Sequence, residues 1–596
     1  MQHSPTGSLT ERVLLLLGYV SLIGAVVAAH SNPATGYELS LYSATPLLFW
    51  LTYGFAMFVA LVVALRTSGD WLRRGALGLG GTATVVFVGL PILRGYRFYG
   101  GGDSLTHLGW MRGIGSGSFQ PTELIYPGLH TSATLFSNTF GLKPSHALLL
   151  VTVVLSGVFC VFVTLSTSLV FESKYTTTVA AFSAFLFLPI TSLSTFVFPH
   201  TMSQAIMMSS IALYLLLKYV RMGDDTRSLS SVGAALATTS IALVIYHPQL
   251  VAHLLTMFIA VSGLQFLFRR YRTEHPIASH RTVYAQSAFM IVAFLVWTSN
   301  HGFFTGVIES SITRAVDFFR GNGSAAASAA SQGASLVEIG GSILEIFLKL
   351  FGVSLLFTGI AGLLFLYSFW EKDGQVTHKT DGVLTYFVGG LSGLGVIFAL
   401  YFFGSVSEMY FRVFALMMVL VTIVGAAAIS YVLTTLSSER SNETLHSVTV
   451  IGFAIVLVLS LFTVFPSTFI FLPSPHITDM SMSGHQSAFG YQQDGVGFDG
   501  IRSGPDRYAD VERAEPGRAR GFGSISGEEI EAGIAEQYSS PRYLTVTRVD
   551  REREAIAFEE LRYSRSQLNS ISAQPGVNRV QSNGDFELFY IRGASE

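Results

Sequence analysis

The sequence predicts an all-α polytopic membrane protein of about thirteen spans, followed by a small α+β domain. Three observations predict it. Of the 596 residues, 50% are hydrophobic and only 12% charged, against about 25% charged in a soluble domain. A mean hydropathy of +0.50 extends well past the ~250–300 residues at which single soluble cores stop growing. Residues 472–596 reverse the pattern: apolar runs vanish, and 19 Asp plus Glu stand with 13 Arg and no Lys. A net charge of −2 does not favour nucleic acid as a partner. The single cysteine, Cys160, excludes an intramolecular disulfide framework and any multi-Cys metal site.

A bilayer-spanning helix needs about 20 mostly apolar residues. Thirteen stretches qualify: 13–29, 46–65, 75–93, 146–170, 176–193, 202–220, 229–246, 249–268, 283–299, 351–370, 382–403, 413–435 and 448–470. The first is not read as a cleaved signal peptide, because His30-Ser31-Asn32-Pro33 offers no small-x-small site and more spans follow. With the N-terminus inside, the inside loops hold fifteen Lys and Arg and the outside loops eight: Arg94, Arg97, Arg112, Lys143, Arg314, Arg320, Lys349 and Arg412. Cytoplasmic loops carry the excess of positive charge, so the N-terminus is expected in the cytoplasm. The odd span count then puts the C-terminal domain outside a cell membrane.

Residues 1–471 are thus read as the membrane domain, with external loops 94–145 and 300–350, and 472–596 as an external domain. Strand-like stretches stand at Arg542–Val549 and at Phe586–Ile591, the second after an Asn583-Gly584 turn signal. An acidic, lysine-free exterior suggests a high-salt habitat; compositional drift is the plainer alternative. The Gly/Ala/Ser tract Gly321–Ser335 reads as a mobile part of the second loop, a candidate lid. No internal repeat or inverted pair of broken helices is evident. The inside loops are short and carry no phosphate-cradling glycine motif, so a cytosolic nucleotide is not expected and chemistry belongs outside.

The first external loop reads Arg94-Gly-Tyr-Arg97-Phe-Tyr-Gly-Gly-Gly-Asp103-Ser-Leu-Thr-His107-Leu-Gly-Trp-Met-Arg112. Three glycines free the backbone before Asp103, and Leu105, Leu108 and Met111 mark a short amphipathic helix. Asp103 and His107 are four apart and share a face of that helix. Asp103 also suits a helix N-cap. The loop continues Tyr126-Pro127-Gly128-Leu129-His130. Other external helix ends carry Phe198-Pro199-His200, Tyr246-His247-Pro248 and Glu408-Met409-Tyr410-Phe411-Arg412. Each histidine alone reads as an interfacial or capping residue, and Glu408 with Arg412 as an i,i+4 pair. Together they gather at one water–lipid boundary, where an enzyme meets a substrate with a lipid tail and a polar head.

Taken together, the spans, the glycine–Asp103 loop beside a short helix and the external C-terminal domain resemble the C-type membrane glycosyltransferases (GT-C). Gly-Gly-Asp103-Ser-Leu-Thr-His107 with Tyr126-Pro-Gly-Leu-His130 is similar to the corresponding part of archaeal members. Tyr246-His247-Pro248 and the tail Asn578-Arg-Val-Gln-Ser-Asn583-Gly-Asp-Phe-Glu-Leu-Phe-Tyr590 resemble haloarchaeal ones. The most similar type is the dolichyl-phosphate-mannose-dependent mannosyltransferase of S-layer N-glycosylation. Two features differ from the family pattern: three spans precede the acidic loop, and Asp103 has no acidic neighbour.

The resemblance implies inverting transfer of a sugar, mannose, from a polyprenyl (dolichyl) phosphate donor to a hydroxyl of a glycan or glycoprotein acceptor. Asp103 is then the general base. Arg94, Arg97, His107, His130, His200, His247, Glu408 and Arg412 are the substrate-binding candidates, with Arg suited to phosphate through its bidentate fork. No cofactor is required; a divalent cation on Asp103, His107 and His130 is an option. For Arg94 and Arg97, snorkelling at the interface is the alternative. Two other functions stay open: a lipid-linked sugar transporter or flippase, and a non-catalytic scaffold whose external domain binds a partner.

Overall fold

The computed structural model describes residues 8–222, 230–302, 306, 313, 338, 340–371, 374–403, 409–437, 442–502 and 504–593. The Gly321–Ser335 tract, most of loop 300–350 and Glu408 lie outside the described residues.

Helices α1 (Leu9–His30), α2 (Leu47–Arg66) and α3 (Asp70–Val88) pack together at the N-terminus. Glycine permits their close approach: a side chain at Gly18 would meet Val59 and Leu79. Strand β1 (Phe98–Tyr99) leads to α4 (Asp103–Ser116) and α5 (Gly128–Phe140). The bundle continues with α6 (Pro144–Val170), α7 (Thr176–Ala184), α8 (Thr201–Val220), α9 (Ser231–Tyr246) and α10 (Pro248–Tyr271). It closes with α11 (Tyr284–Ser299), α12 (Ile343–Trp370), α13 (Val383–Phe403), α14 (Met409–Leu436) and α15 (Asn442–Leu461). Among the described residues nine of these are long and apolar enough to cross a membrane, and α9 and α11 are shorter apolar helices. The exposed Leu, Ile, Val and Phe of the long helices face outward, as a lipid solvent requires.

The thirteen expected spans therefore map onto nine long helices and four that differ. Helix α3 opens on Asp70-Trp71-Leu72-Arg73-Arg74 and falls outside the nine. Helices α9 and α11 are 16 residues each. The stretch 176–193 is a broken span: α7 ends at Ala184 and an irregular, buried segment runs to His200. Proline supplies the reason. Pro189 has no N–H to give, and hydroxyls satisfy the backbone instead. Thr195 Oγ1 donates to the Pro189 carbonyl (2.7 Å) and Ser192 Oγ to the Thr463 carbonyl (2.8 Å). Irregular backbone at membrane depth is tolerated only where protein covers it, and here α8, α14 and residues 460–464 do so.

Residues 472–593 begin with β2 (His476–Ile477), which pairs antiparallel with β1 through Phe98↔Ile477 and Tyr99↔His476. The domain and the loop after α3 therefore share one end of the bundle. Helix α16 (Asp479–Gly490), β3 (Gly497–Ile501), α17 (Asp506–Arg513), β4 (Gly523–Ile525), β5 (Arg542–Thr547), β6 (Val577–Ser582) and β7 (Phe586–Ile591) build the rest. The five-stranded sheet runs β4-β3-β5-β7-β6. Strand β3 is parallel to both its neighbours, and the other pairs are antiparallel. The chain is thus an all-α polytopic membrane protein with a small α+β C-terminal domain. Both strand-like stretches of the sequence are strands, and Gly584 (φ +97°) makes the turn between β6 and β7.

Candidate active site

The glycine triplet shapes the entry to α4. Gly102 caps the helix at φ +52°, ψ −120°, a backbone conformation suited to glycine. A side chain on Gly100 would strike Ser104, 2.6 Å away. Asp103 is consequently the first helical residue rather than the cap, and its carboxylate serves another purpose. It accepts from Arg518 Nη2 at 2.7 Å and lies 3.3 Å from Arg507 Nη2. Both arginines come from the C-terminal domain, and all three side chains keep contact with water.

Helix α4 is clamped onto α17 and the turn after it. Thr106 Oγ1 donates to Asp510 (2.6 Å), Trp110 Nε1 to the Gly517 carbonyl (3.2 Å) and Arg112 to the Val511 carbonyl (2.8 Å). Gly109 and Gly113 make the approach possible, since an added Cβ would sit 2.2 Å from the Asp510 oxygen or 2.3 Å from the Ala514 oxygen. On its other side, Ser104 donates to the Pro199 carbonyl of the broken span (2.7 Å).

That contact places α4 beside a buried cluster of rings. His107 Nδ1 and His130 Nε2 are 3.1 Å apart in a hydrogen bond. The His200 ring lies 6.4 Å from that of His107, and Tyr126 stacks on His247 with centroids 5.3 Å apart. Trp110 contacts His107, Tyr126 and His130. Arg412 donates to Gln249 Oε1 (2.9 Å) and to Ser194 Oγ (3.4 Å). Its charge reaches His200, His247 and Tyr126, and that of Arg518 reaches His107 and Tyr126. Two guanidiniums thus flank the rings from opposite parts of the chain.

Burial sets the charge state of the rings. It pushes the His130 and His200 imidazoles down to about 3, and those of His107 and His247 well below their usual value, with Arg412 adding to the effect at His200 and His247. The same desolvation raises the Tyr126 phenol. The histidines are therefore neutral near pH 7 and offer N–H groups rather than charge. The positive charge of the site belongs to Arg412, Arg507 and Arg518. The buried ring nitrogen His247 Nδ1 has no hydrogen-bond partner among the described residues.

These pKa values also fix a stability trend. Below about pH 6.5 the unfolded chain binds protons that the native rings refuse. Stability is full above that value and falls toward pH 3, by about 1.4 kcal/mol per pH unit for each such histidine. His476 and His485, also held at about 3 by burial, add to the slope. Thermal unfolding in detergent between pH 7.5 and 5 is expected to show a falling midpoint. A midpoint that rises as the pH drops would mean these rings are charged in the native state.

The remaining sequence candidates lie elsewhere. Arg94 is buried and bonded to Glu38, to the Ala44 carbonyl and to Thr45, with Tyr96 also donating to Glu38. It holds the segment after α1 against the segment before β1. Arg97 pairs with Asp479 of the C-terminal domain at 3.4 Å. Glu408, the expected partner of Arg412, lies outside the described residues. The cation option on Asp103, His107 and His130 does not fit: Asp103 faces two guanidiniums, which would repel a metal ion. Among the described residues no three His, Cys, Asp or Glu side chains are placed to hold one. Sequence reasoning missed Arg507, Arg518 and Asp510, which stand some 400 residues from Asp103. The lysine-free, arginine-rich composition of 472–596 was the one available signal.

No protein-family model and no curated protein matches the chain. Solved structures similar to it include ArnT from Cupriavidus metallidurans bound to undecaprenyl phosphate, with 11% identity, 91% of this chain and 98% of that chain covered, and a TM-score of 0.41. ArnT from the same organism in the apo state gives 12% identity, 85% and 97% coverage, and a TM-score of 0.40.

Proposed function

We propose that the chain is a membrane glycosyltransferase. In this reading it moves a sugar, mannose in the finer version, from a polyprenyl (dolichyl) phosphate to a hydroxyl of a glycan or glycoprotein. The reaction takes place on the external face of a cell membrane, with the N-terminus cytoplasmic and residues 472–596 outside. The observation that carries the proposal is the meeting of Asp103 with a buried ring cluster and Arg412 at the domain-bearing end of the bundle. A polar head and a lipid tail can both be served there.

Asp103 takes the proton from the acceptor hydroxyl as its oxygen attacks the anomeric carbon. The bond from that carbon to the phosphate oxygen breaks, and its electron pair leaves with the phosphate. Attack from the face opposite the phosphate inverts the centre. The growing negative charge needs fixed positive charge and N–H donors. Arg412 supplies the charge, and neutral His200 and His247 supply N–H. His107 and His130 hold each other and orient the cluster. Arg507 and Arg518 hold the Asp103 carboxylate, and the half-exposed Arg518 yields its place to the acceptor hydroxyl. Arg94 and Arg97 are given no part in transfer.

The tail of the donor has a place as well. A groove of about 240 Å³ between α9 and α11 is lined by the apolar Ile241, Val244, Ile245, Ala293, Val296 and Trp297, with Asn300 as its one polar residue. Trp297 donates to the Ile125 carbonyl at 2.8 Å, next to Tyr126, and Tyr246-His247 follow Ile245 directly. A polyprenyl chain in this groove has its phosphate end at the ring cluster.

The test uses membranes carrying the protein, radiolabelled dolichyl-phosphate mannose and glycan acceptors. Protein-dependent transfer of label is the expected result. No transfer from any polyprenyl-phosphate sugar would leave the scaffold or flippase readings standing. Arg412→Ala is expected to slow transfer at limiting donor by tenfold or more, since truncating one charged hydrogen-bonding partner of a phosphate costs about 2 kcal/mol or more. An unchanged rate would return Arg412 to a structural role with Gln249 and Ser194.

A further inference from the structure

A cavity with basic side chains in its lining, apart from the ring cluster, lies where the domain meets the bundle. Its volume is about 340 Å³, and its basic lining comes from three elements: Arg97 before β1, Arg112 on α4 and Lys143 at the cap of α6. His485 and Gln486 of α16 and Tyr508 of α17 form its roof. One carboxylate, Glu512, belongs to the lining itself, with its side chain 35% exposed, and a second pairs with Arg97. Glu512 stands 3.7 Å from Arg112, and Asp479, whose side chain is 76% exposed, stands 3.4 Å from Arg97. Exposed pairs of this kind contribute only about 0–1 kcal/mol, so an incoming anion can displace them. Lys143 has no acidic partner among the described residues. The first turn of α6, a 27-residue helix, has no side-chain cap and adds its positive end to the same cavity.

The depth of the cavity follows from its neighbours. Apolar helix α6 begins at Pro144, immediately after Lys143. The preceding helix α5 leaves Leu135 and Phe140 each 64% exposed, a cost in water and a gain at the acyl boundary of a leaflet. The cavity therefore opens at the level of lipid headgroups. We propose that it binds the phosphate of an anionic membrane lipid, clamping the C-terminal domain to the bundle. Tyr508, on the cavity wall, neighbours Arg507, which faces Asp103. A lipid bound here secures the domain that presents both arginines to the candidate base. This inference stands whether or not the chain transfers sugars.

The experiment is thermal unfolding of the full chain, purified and delipidated in neutral detergent. Phosphatidylglycerol, phosphatidylcholine or inorganic phosphate is then titrated in. Phosphatidylglycerol is expected to raise the midpoint at concentrations where the zwitterionic lipid and free phosphate do little. Lys143→Gln, whose exposed side chain has no ion pair to lose among the described residues, is expected to weaken that response about fivefold. Adding Arg97→Gln weakens it about fivefold again, the factor expected for each cation near an anionic surface. An equal response to both lipids, or an undiminished one in the double variant, overturns the proposal. Stabilisation by inorganic phosphate as strong as by the lipid overturns it too, in favour of a free anion. Should the double variant fold poorly, the Lys143→Gln titration alone decides.

Discussion

Asp103→Asn is expected to abolish sugar transfer, lowering the rate by about 10²–10⁴-fold, the usual contribution of a positioned general base. The substitution keeps the volume of the side chain and its place at the start of α4. It removes the proton-accepting charge and the two ion pairs to Arg507 and Arg518. Those pairs face water, and pairs of that kind contribute about 0–1 kcal/mol each, so insertion, yield and melting midpoint should stay close to the natural protein. Initial rates with radiolabelled polyprenyl-phosphate sugar, set beside a thermal unfolding curve, separate the two effects. A variant that transfers normally removes Asp103 as the base. A variant that melts early assigns the carboxylate a structural duty instead.

Gly109→Ala should be the most damaging single methyl group in α4. The added carbon would lie 2.2 Å from the carbonyl oxygen of Asp510 and 3.0 Å from the Val511 Cα. Both are backbone, so no rotamer change relieves the clash and α17 must move. Overpacking of this sort costs about 1–3 kcal/mol. The displacement would break the Thr106–Asp510 and Trp110–Gly517 bonds and draw Arg507 and Arg518 away from Asp103. The expected result is faster proteolysis of residues 472–596 together with at least tenfold slower transfer. Gly115→Ala on the same helix is the control: its nearest neighbour would be Thr134 Cγ2 at 3.8 Å, ordinary contact, and both readouts should be unchanged. If the two variants behave alike, the close approach of α4 and α17 has no part in the site.

The two substitutions probe different levels of one arrangement, a carboxylate on one domain held by arginines from another. The pairing is invisible along the chain. Asp103 invited a reading as helix cap because Asp suits that role, yet Gly102 at positive φ takes the cap and frees the carboxylate. Arg94 invited a reading as phosphate ligand because it stands at a water–lipid boundary, yet Glu38, 56 residues earlier, claims it. The unbroken apolar look of 176–193 hid an irregular segment. Hydropathy counts side chains, whereas Pro189 and the serines and threonines around it decide where backbone hydrogen bonds go.

What the sequence by itself determined is the solvent of each part. Apolar runs of about twenty residues place a chain in lipid, because transfer free energy sums over side chains irrespective of their neighbours. The polar composition of 472–596 excludes that segment from the bilayer by the same rule. The placement of His130, His200 and His247 near helix ends, and of His107 on a short amphipathic helix, was legible too, since such elements are set locally. Tertiary structure alone decided which polar groups meet, which histidines lose their charge, and which arginines face Asp103. Those outcomes depend on distances between residues hundreds of positions apart and on how completely water is expelled around them, quantities fixed only when the helices and the domain pack.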